Sequence, residues 1–124
     1  LDGDADYAGA LAQAMGRRGA IELLGTDARR RIDAAALLAG DLPHCIGAML
    51  KAGNPAVLAR QAADHLLRLE LRPDQRALWP GRLDDCWPLG ALLAGGTLLL
   101  CETPPLDPAR LAAAEGAVLL RRPV

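Results

Sequence analysis

The sequence predicts a single α/β domain, residues 1–124, in which crossover helices connect the strands of a mostly parallel sheet. Its 124 residues are 52% hydrophobic and include no phenylalanine, which suits one domain with an aliphatic core. From Leu42 onward, segments of helical periodicity alternate with short apolar runs of strand length. Two of these units, 47–53 and 90–96, share a pattern in which a helix ends on glycine before an apolar run.

The first forty residues predict a hairpin between two helices. Asp6 suits the N-cap of the first helix, and Gly19 ends that helix. The turn at 25–27 closes a short strand, and a second strand pairs back on it. In chain order we expect a frayed segment over 1–6, a helix over 7–17, a strand over 20–24, a strand over 31–33 and a helix over 34–39.

The rest of the chain predicts further helices and strands in alternation. Asp107 suits an N-cap with Pro108 at the first helical position, and Pro88 interrupts the helix before it. Residues 54–58 fit either a strand or the start of a helix that begins at Pro55 and runs to residue 71. The other expected elements are a helix ending at Gly53, a helix over 59–69, a turn over 72–75, a strand over 76–79, a helix over 83–94, a strand over 96–101, a helix over 108–114 and a buried strand over 117–120.

Missing residue types exclude several classes of protein. The chain has no serine, so it holds neither the nucleophile of a serine hydrolase nor the serine to which a carrier domain attaches phosphopantetheine. Its one lysine, Lys51, is followed by Ala52 and Gly53 rather than by Ser or Thr. This excludes a Walker-type phosphate loop.

Charge and hydropathy predict a cytoplasmic protein that binds neither nucleic acid nor a membrane. The net charge is −1, the pI is about 6.1, and the arginines are dispersed. We expect the run Arg29-Arg30-Arg31 to be a solvated loop balanced by nearby acids. The longest apolar stretches are far short of the ~20 residues needed to span a bilayer. No basic and then apolar leader precedes Tyr7.

The cysteines and histidines predict neither a metal site nor a disulfide framework. Cys45, Cys86 and Cys101 lack C-x-x-C spacing and are expected to be reduced and buried. His44 adjoins Cys45, but neighbours on a helix point about 100° apart, so adjacency does not make a nucleophile and base pair. His65 lies at helical spacing among apolar residues and is expected to be a partly buried structural side chain.

Several motifs resemble those of one enzyme superfamily. Residues 71–78 resemble an L-x-P-x-D-x-hydrophobic entry into a strand, 92–97 an L-L-x-G-[AG]-T helix end, and 107–111 a D-P-x-x-L helix start. Residues 31–34 and 49–53 are similar to an early R-hydrophobic-T-Y-x-E-L turn and an L-L-K-A-G segment. On these motifs the chain resembles the N-terminal part of the adenylate-forming superfamily, which includes acyl- and aryl-CoA synthetases and the adenylation domains of peptide synthetases.

The resemblance implies the sheet of this superfamily, but the chain departs from the residues that carry the superfamily's chemistry. The superfamily holds the phosphates of ATP in a Ser/Thr/Gly-rich loop, and the sequence contains no such loop. The aromatic-His pair of the superfamily corresponds to 81–84, which reads G-R-L-D. Its C-terminal catalytic lysine and its ribose-binding acidic motif have no counterpart. We therefore assign no catalytic residue, no cofactor-binding residue and no metal ligand.

Two functions remain open from the sequence. The first is a truncated or degenerate, non-catalytic module that uses no cofactor and binds a carrier protein, a biosynthetic partner or a second copy of itself. The alternative is a lobe of an ATP-dependent acyl- or aryl-acid ligase whose remaining segments are absent, with ATP and Mg²⁺ as cofactors. Adenylation needs phosphate contacts, Mg²⁺ ligands and a cation at the developing charge, which favours the first function.

Six residues are candidates for contacts with a ligand or a partner. Trp79 and Trp87 flank a Pro-Gly turn, where exposed indoles would anchor an interface and buried ones would fill the core. Two adjacent acids suit either paired carboxylates or a helix N-terminus. Two residues after a strand suit either a ligand contact or a stiff exit loop. The six are Trp79, Asp84, Asp85, Trp87, Glu102 and Thr103.

Overall fold

The computed structural model describes residues 7–17, 19–68, 71–72, 74–94 and 96–122. A hairpin follows the first helix, three helices come next, and helices and strands alternate from the last of these onward. In order they are α1 (Tyr7–Met15), β1 (Ala20–Leu24), β2 (Arg29–Asp33), α2 (Ala34–Ala39), α3 (His44–Lys51), α4 (Pro55–Arg68), β3 (Arg76–Trp79), a 3-10 helix (Trp87–Ala94), β4 (Thr97–Cys101), α5 (Pro108–Glu115) and β5 (Ala117–Leu119).

The strands form one sheet in the order β2-β1-β4-β3-β5. β1 pairs antiparallel with β2. β4 runs parallel to both of its neighbours, β1 and β3, and β5 runs parallel to β3. Three of these four pairings are therefore parallel, which confirms the predicted α/β fold with a mostly parallel sheet.

β4 lies at the centre of the sheet and is buried on both faces. Leu98 and Leu100 belong to the main core, whereas Leu99 and Cys101 belong to a smaller core on the opposite face. All four side chains are at most 4% exposed. An uninterrupted apolar run is typical of such a strand, because both faces of a parallel sheet are covered.

Helices cover the two faces of the sheet unequally. The first four α-helices and the 3-10 helix contribute to the main core, where Leu11, Ile46 and Leu92 are fully buried. α5 packs on the other face, where Ala112 joins the smaller core that contains Leu99. Several helices therefore cover the main core, whereas in the described part of the chain the short α5 alone contributes a helix to the smaller one.

The helix that covers the smaller core begins as predicted and ends one residue later than expected, at Glu115. Asp107 accepts a hydrogen bond at 3.1 Å from the backbone N–H three residues further on, and Pro108 occupies the first helical position. Gly116 ends α5 with a φ of +63°, a conformation that glycine adopts without strain. Asp33 and Gly40 form the same pair of caps on α2.

Residues 54–58 are not a strand, so that alternative is wrong and the helical one is confirmed. The N–H of Val57 lies 3.1 Å from Asn54 Oδ1 and 3.0 Å from the Asn54 carbonyl. Asn54 therefore caps the helix, and Pro55 takes its first position, where its missing N–H costs nothing. The unit 47–53 leads into α4, unlike the similar unit 90–96, which precedes β4.

The α-helix expected over 83–94 is wrong in its start and its type. Only Trp87–Ala94 is helical, and it is a 3-10 helix. The N–H of Leu89 donates to the carbonyl of Cys86, three residues back, at 3.0 Å. A helix that began at Leu83 would place Pro88 in its interior, where the ring clashes with the carbonyl four residues earlier.

Other differences concern the ends of elements. α1 ends at Met15 rather than at residue 17, because Gly16 has a φ of +67°. β2 begins at Arg29 rather than at Arg31, so the arginine run is a strand and the expected loop is wrong. The N-cap expected at Asp6 and the frayed segment 1–6 lie outside the described residues.

We expect Gly96, which directly precedes β4 where this strand begins to pair with β3, not to tolerate a larger side chain. A Cβ at Gly96 would clash with the backbone oxygen of Gln75, so the chain itself would have to move. We expect Gly96→Ala to lower the free energy of unfolding by about 3 kcal/mol. Denaturant titration followed by circular dichroism measures this change.

Gly47→Ala is the matched control for this substitution. Gly47 lies inside α3, and a Cβ there would meet nothing within 4 Å. Alanine favours the helical backbone, so this variant should be more stable than the parent by up to about 1 kcal/mol. Equal stability of the two variants would contradict the close approach of Gly96 to Gln75.

Candidate functional site

The carboxyl ends of β1 and β4 form a crevice at one edge of the sheet. These strands are parallel neighbours, and the chain leaves them in opposite directions. From β1 it turns back into β2, whereas from β4 it crosses through α5 to β5, on the far side of β3. Open α/β sheets bind ligands where neighbouring connections diverge in this way.

The crevice has a volume of about 450 Å³ and lies between the β1–β2 turn and α5. Leu24, Cys101 and Leu111 contribute apolar surface to its lining. Thr26 and Thr103 contribute hydroxyl groups. This combination suits an apolar group with a few hydrogen-bonding partners around it.

Gly25 allows the ends of the two strands to approach each other. Its N–H donates to the Ala28 carbonyl at 2.8 Å, and the Glu102 N–H donates to the Leu24 carbonyl at 3.0 Å. A Cβ at Gly25 would lie 3.1 Å from the Ala28 oxygen and 3.3 Å from Oε1 of Glu102. The turn and the end of β4 therefore form one continuous rim of the crevice.

Five charged side chains beside the crevice, the arginine–glutamate cluster, join the sheet to α5. Arg29 donates to both carboxylate oxygens of Glu115, at 3.0 and 2.7 Å. Arg76 donates to Glu115 Oε1 at 3.0 Å and to the Glu115 carbonyl at 2.9 Å. Glu22 accepts from Arg29 at 3.1 Å and from Arg76 at 3.5 Å, and Arg31 lies 3.7 Å from it.

The cluster compensates for the burial of its two carboxylates. The side chains of Glu22 and Glu115 are only 12% and 16% exposed, and carboxylates at this depth need charged partners. The hydrogen bonds from Arg29, with further attraction to Arg29 and Arg76, lower the pKa of Glu115 against the opposing effect of burial. The same hydrogen bond raises the pKa of Arg29. These pairs fasten the end of α5 to β2 and β3, and Glu22 of β1 pairs with the same two arginines.

Cys101 lines the crevice as a neutral thiol. Its side chain is buried, and this burial, followed by the negative charge of Glu115, raises its pKa. A nucleophilic cysteine needs the opposite shift. All three cysteines are free as expected, although Cys45 is half-buried and not buried. The crevice therefore offers a binding surface in which Cys101 acts as an apolar group.

Of the six predicted site residues, the structure brings Glu102 and Thr103 to the crevice. Thr103 lines it, and the exposed Glu102 adjoins the rim at Gly25. Both residues follow the carboxyl end of β4, where the sequence argument expected ligand contacts. The other four do not line the crevice. Trp79 ends β3 at the same edge but packs against the main core, and Asp85 and Trp87 line a different hollow beside α4.

The two tryptophans pack against each other. Trp87 is 7% exposed, and its ring lies 5.4 Å from that of Trp79 and 4.2 Å from that of His65. The Trp87 indole N–H donates to Asp64 at 3.1 Å, and the Trp79 indole N–H donates to the Arg82 carbonyl at 3.0 Å. The structure thus places Trp87 in the core and Trp79 at its border.

The two adjacent aspartates face different partners. Asp85 accepts a hydrogen bond from the backbone N–H of Trp87 at 2.6 Å and pairs with Arg122. Asp84 lies 3.6 Å from Nε of Arg82 at the surface. The two side chains therefore do not share one partner. The position of Asp85 agrees with the alternative of an acid at a helix start.

Sequence reasoning missed a buried polar chain next to the tryptophans. Tyr7 donates to Gln61 Oε1 at 2.8 Å, and Gln61 Nε2 donates to the sulfur of Cys86 at 3.0 Å. Burial, with Cys86 as a second cause, raises the pKa of Tyr7, so the phenol stays protonated. His65 is fully buried rather than partly buried, and burial lowers its pKa. Its Nε2 lies 2.9 Å from the Trp87 carbonyl, and its Nδ1 is unpaired.

The arginine–glutamate cluster was also missed, although the sequence holds part of its signal. Arg29 and Arg31 are two residues apart, so in a strand they share a face. In the register of the hairpin, Arg31 lies opposite Glu22. Recognising residues 29–33 as a strand would have placed both arginines beside this glutamate. The partners Arg76 and Glu115 come from distant parts of the chain and carry no local signal.

Within the described part of the chain, no group of three or more His, Cys, Asp or Glu side chains could hold a metal ion. The same residues contain no helix that combines the length and the apolar character needed to cross a membrane. Comparison with protein-family models, with curated proteins and with solved structures gives no match for this chain. The resemblance to the adenylate-forming enzymes therefore depends on the sequence motifs.

We expect Glu115 to stabilise the fold in a pH-dependent manner. Its folded pKa is below the ordinary value of about 4.3, so its contribution is complete above about pH 4.3. That contribution is lost as the pH falls through the lowered pKa. Glu115→Gln should therefore lower the free energy of unfolding by about 1 kcal/mol at pH 7, and the difference should shrink below pH 4. Denaturant titrations at a series of pH values measure both effects.

Asp84→Asn provides the control for this experiment. Asp84 pairs with Arg82 at an exposed site, where an ion pair contributes little. We expect this substitution to change stability by less than about 0.5 kcal/mol. An effect of Glu115→Gln that is independent of pH would show that the charge of Glu115 does not fasten α5.

Proposed function

We propose that this chain is a cytoplasmic, non-catalytic module similar to the N-terminal part of the adenylate-forming enzymes. It acts without a cofactor, by binding a carrier protein, a biosynthetic partner or a second copy of itself. The observation that carries the binding role is the crevice of about 450 Å³ at the carboxyl ends of β1 and β4. Apolar residues make up part of its lining, beside two threonines and three charged residues, and they suit an apolar side chain of a partner.

The family assignment in this proposal is supported by where the motifs fall. Residues 71–78 lead into β3, 92–97 span the end of the 3-10 helix and the start of β4, and 107–111 begin α5. Each motif thus coincides with the strand entry, helix end or helix start that the resemblance assigns to it. The mostly parallel sheet is also consistent with the resemblance.

The charges of the crevice support a binding role without adenylation. Arg29 is the cation in its lining, and it already pairs with Glu22 and Glu115. A nucleotide phosphate that used Arg29 would have to displace these partly buried carboxylates, which would then keep only Arg76 and, for Glu22, Arg31 as charged partners. Lys51, the one lysine of the chain, lies in α3 and lines a different hollow.

A second candidate function is a lobe of an ATP-dependent acyl- or aryl-acid ligase. The observation that favours it is the position of the crevice, where the connections of β1 and β4 diverge. Nucleotides bind at such points in other α/β folds. In this case further segments would have to supply the phosphate contacts and the Mg²⁺ ligands.

Calorimetric titration with Mg-ATP distinguishes the two functions. We expect no saturable heat from micromolar to low millimolar ATP, because the crevice has no unpaired cation in its lining. Saturable heat that is lost in Ala28→Trp, a substitution that fills the crevice, would contradict the non-catalytic module and support the ligase lobe. Ala28 is exposed and lines the crevice, so the larger side chain should be tolerated by the fold.

A further inference from the structure

Leu106 and the crevice form a projection and a recess on one surface. Leu106 lies in the loop between β4 and α5, and its side chain is fully exposed. Pro105, the residue before it, lines the crevice. A fully exposed leucine presents apolar surface whose burial is favourable. The projection and the recess are therefore adjacent on the same molecule.

The crevice can accept a leucine side chain from a second molecule. Its volume of about 450 Å³ leaves ample room, and Leu24 and Leu111 in its lining are only half-buried. Leu106 does not fill its own crevice. Pro104 and Pro105 fix φ on two successive residues, and this stiff loop holds Leu106 away from the recess. A second molecule can supply the leucine without any change in this loop.

We propose that two copies of this chain associate through this surface, with Leu106 of each copy inserted into the crevice of the other. A two-fold axis allows this arrangement because the projection and the recess lie side by side, so that one contact occurs twice. The inference rests on the proposed binding function and names its partner as a second copy of the chain.

Charges around the crevice are compatible with a two-fold contact. Asp27 and Glu102 are exposed at the rim formed by the turn and the end of β4. Arg110 is exposed on α5, next to the crevice residue Leu111. Both signs therefore occur on one surface, and a two-fold axis can bring acids of one copy near the arginine of the other. The net charge of −1 adds little repulsion.

Sedimentation equilibrium of the purified chain from micromolar to millimolar concentration tests this proposal. We expect a monomer–dimer equilibrium in the parent chain. Leu106→Asp should raise the dissociation constant roughly a hundredfold, because two copies of a contact are lost and each accounts for roughly tenfold. Ala28→Trp should weaken the dimer from the other side by filling the recess. Circular dichroism checks that each variant is folded.

Leu38→Asp is the matched control. Leu38 is also an exposed leucine, 68% accessible, but it lies on α2 and lines a different hollow. The Leu38→Asp substitution should leave the dissociation constant of the dimer unchanged. A parent chain that is monomeric at all concentrations would overturn the proposal. So would a dimer that is insensitive to Leu106→Asp, or one that Leu38→Asp weakens equally.

The failure of this inference can be told from a failure of the proposed function. A monomeric chain that gives no heat with Mg-ATP overturns the dimer and leaves a module that binds a different protein. Saturable binding of Mg-ATP that is lost in Ala28→Trp overturns the non-catalytic function, whatever the oligomeric state. The two measurements use the same purified chain.

Discussion

The burial of β4 on both faces is the constraint on which the rest of this structure depends. Leu98 and Leu100 need the main core, and Leu99 and Cys101 need α5 on the opposite face. α5 has eight residues, and its contribution to the smaller core is small. The arginine–glutamate cluster supplies the remaining attachment, because Glu115 at the end of α5 pairs with Arg29 of β2 and with Arg76 of β3. The position of α5 is therefore set by apolar packing at one point and by charged hydrogen bonds at another.

The same attachment determines the character of the crevice. α5 contributes Leu111 and Glu115 to its lining, so the crevice exists only while α5 is held against the sheet. Glu115 also pairs with the guanidinium of Arg29, so the crevice offers apolar side chains, threonine hydroxyls and the carboxylate of Asp27 as contacts. A surface of this kind binds apolar side chains better than it binds phosphates. The Arg29–Glu115 ion pair therefore has two effects. It holds α5 against the sheet, and it occupies the guanidinium that a nucleotide phosphate would need.

Local signals in the sequence predicted the strands β1 and β3 and the start of α5. The two strands are short runs bounded by turn residues, and the helix has an Asp-Pro start. Local signals left residues 54–58 undecided, because Pro55 can follow a strand or begin a helix. They were wrong before Pro88, where a helix was expected from residue 83 and the 3-10 helix begins only at Trp87. The functional groups were less predictable than the elements. Glu102 and Thr103 could be placed because they follow a strand. The Arg29–Glu115 pair joins residues 86 apart and the Tyr7–Gln61 pair joins residues 54 apart, so the strand order and helix packing that unite them had to be known first.

The central claim is that the crevice contacts protein rather than nucleotide. Amide resonances of residues 25–28 and 102–103, recorded by ¹H–¹⁵N NMR at increasing protein concentration and then with Mg-ATP, test it most directly. We expect these resonances to shift with protein concentration and to remain unchanged on addition of Mg-ATP. Shifts of the same resonances with Mg-ATP, with none on concentration, would contradict the claim.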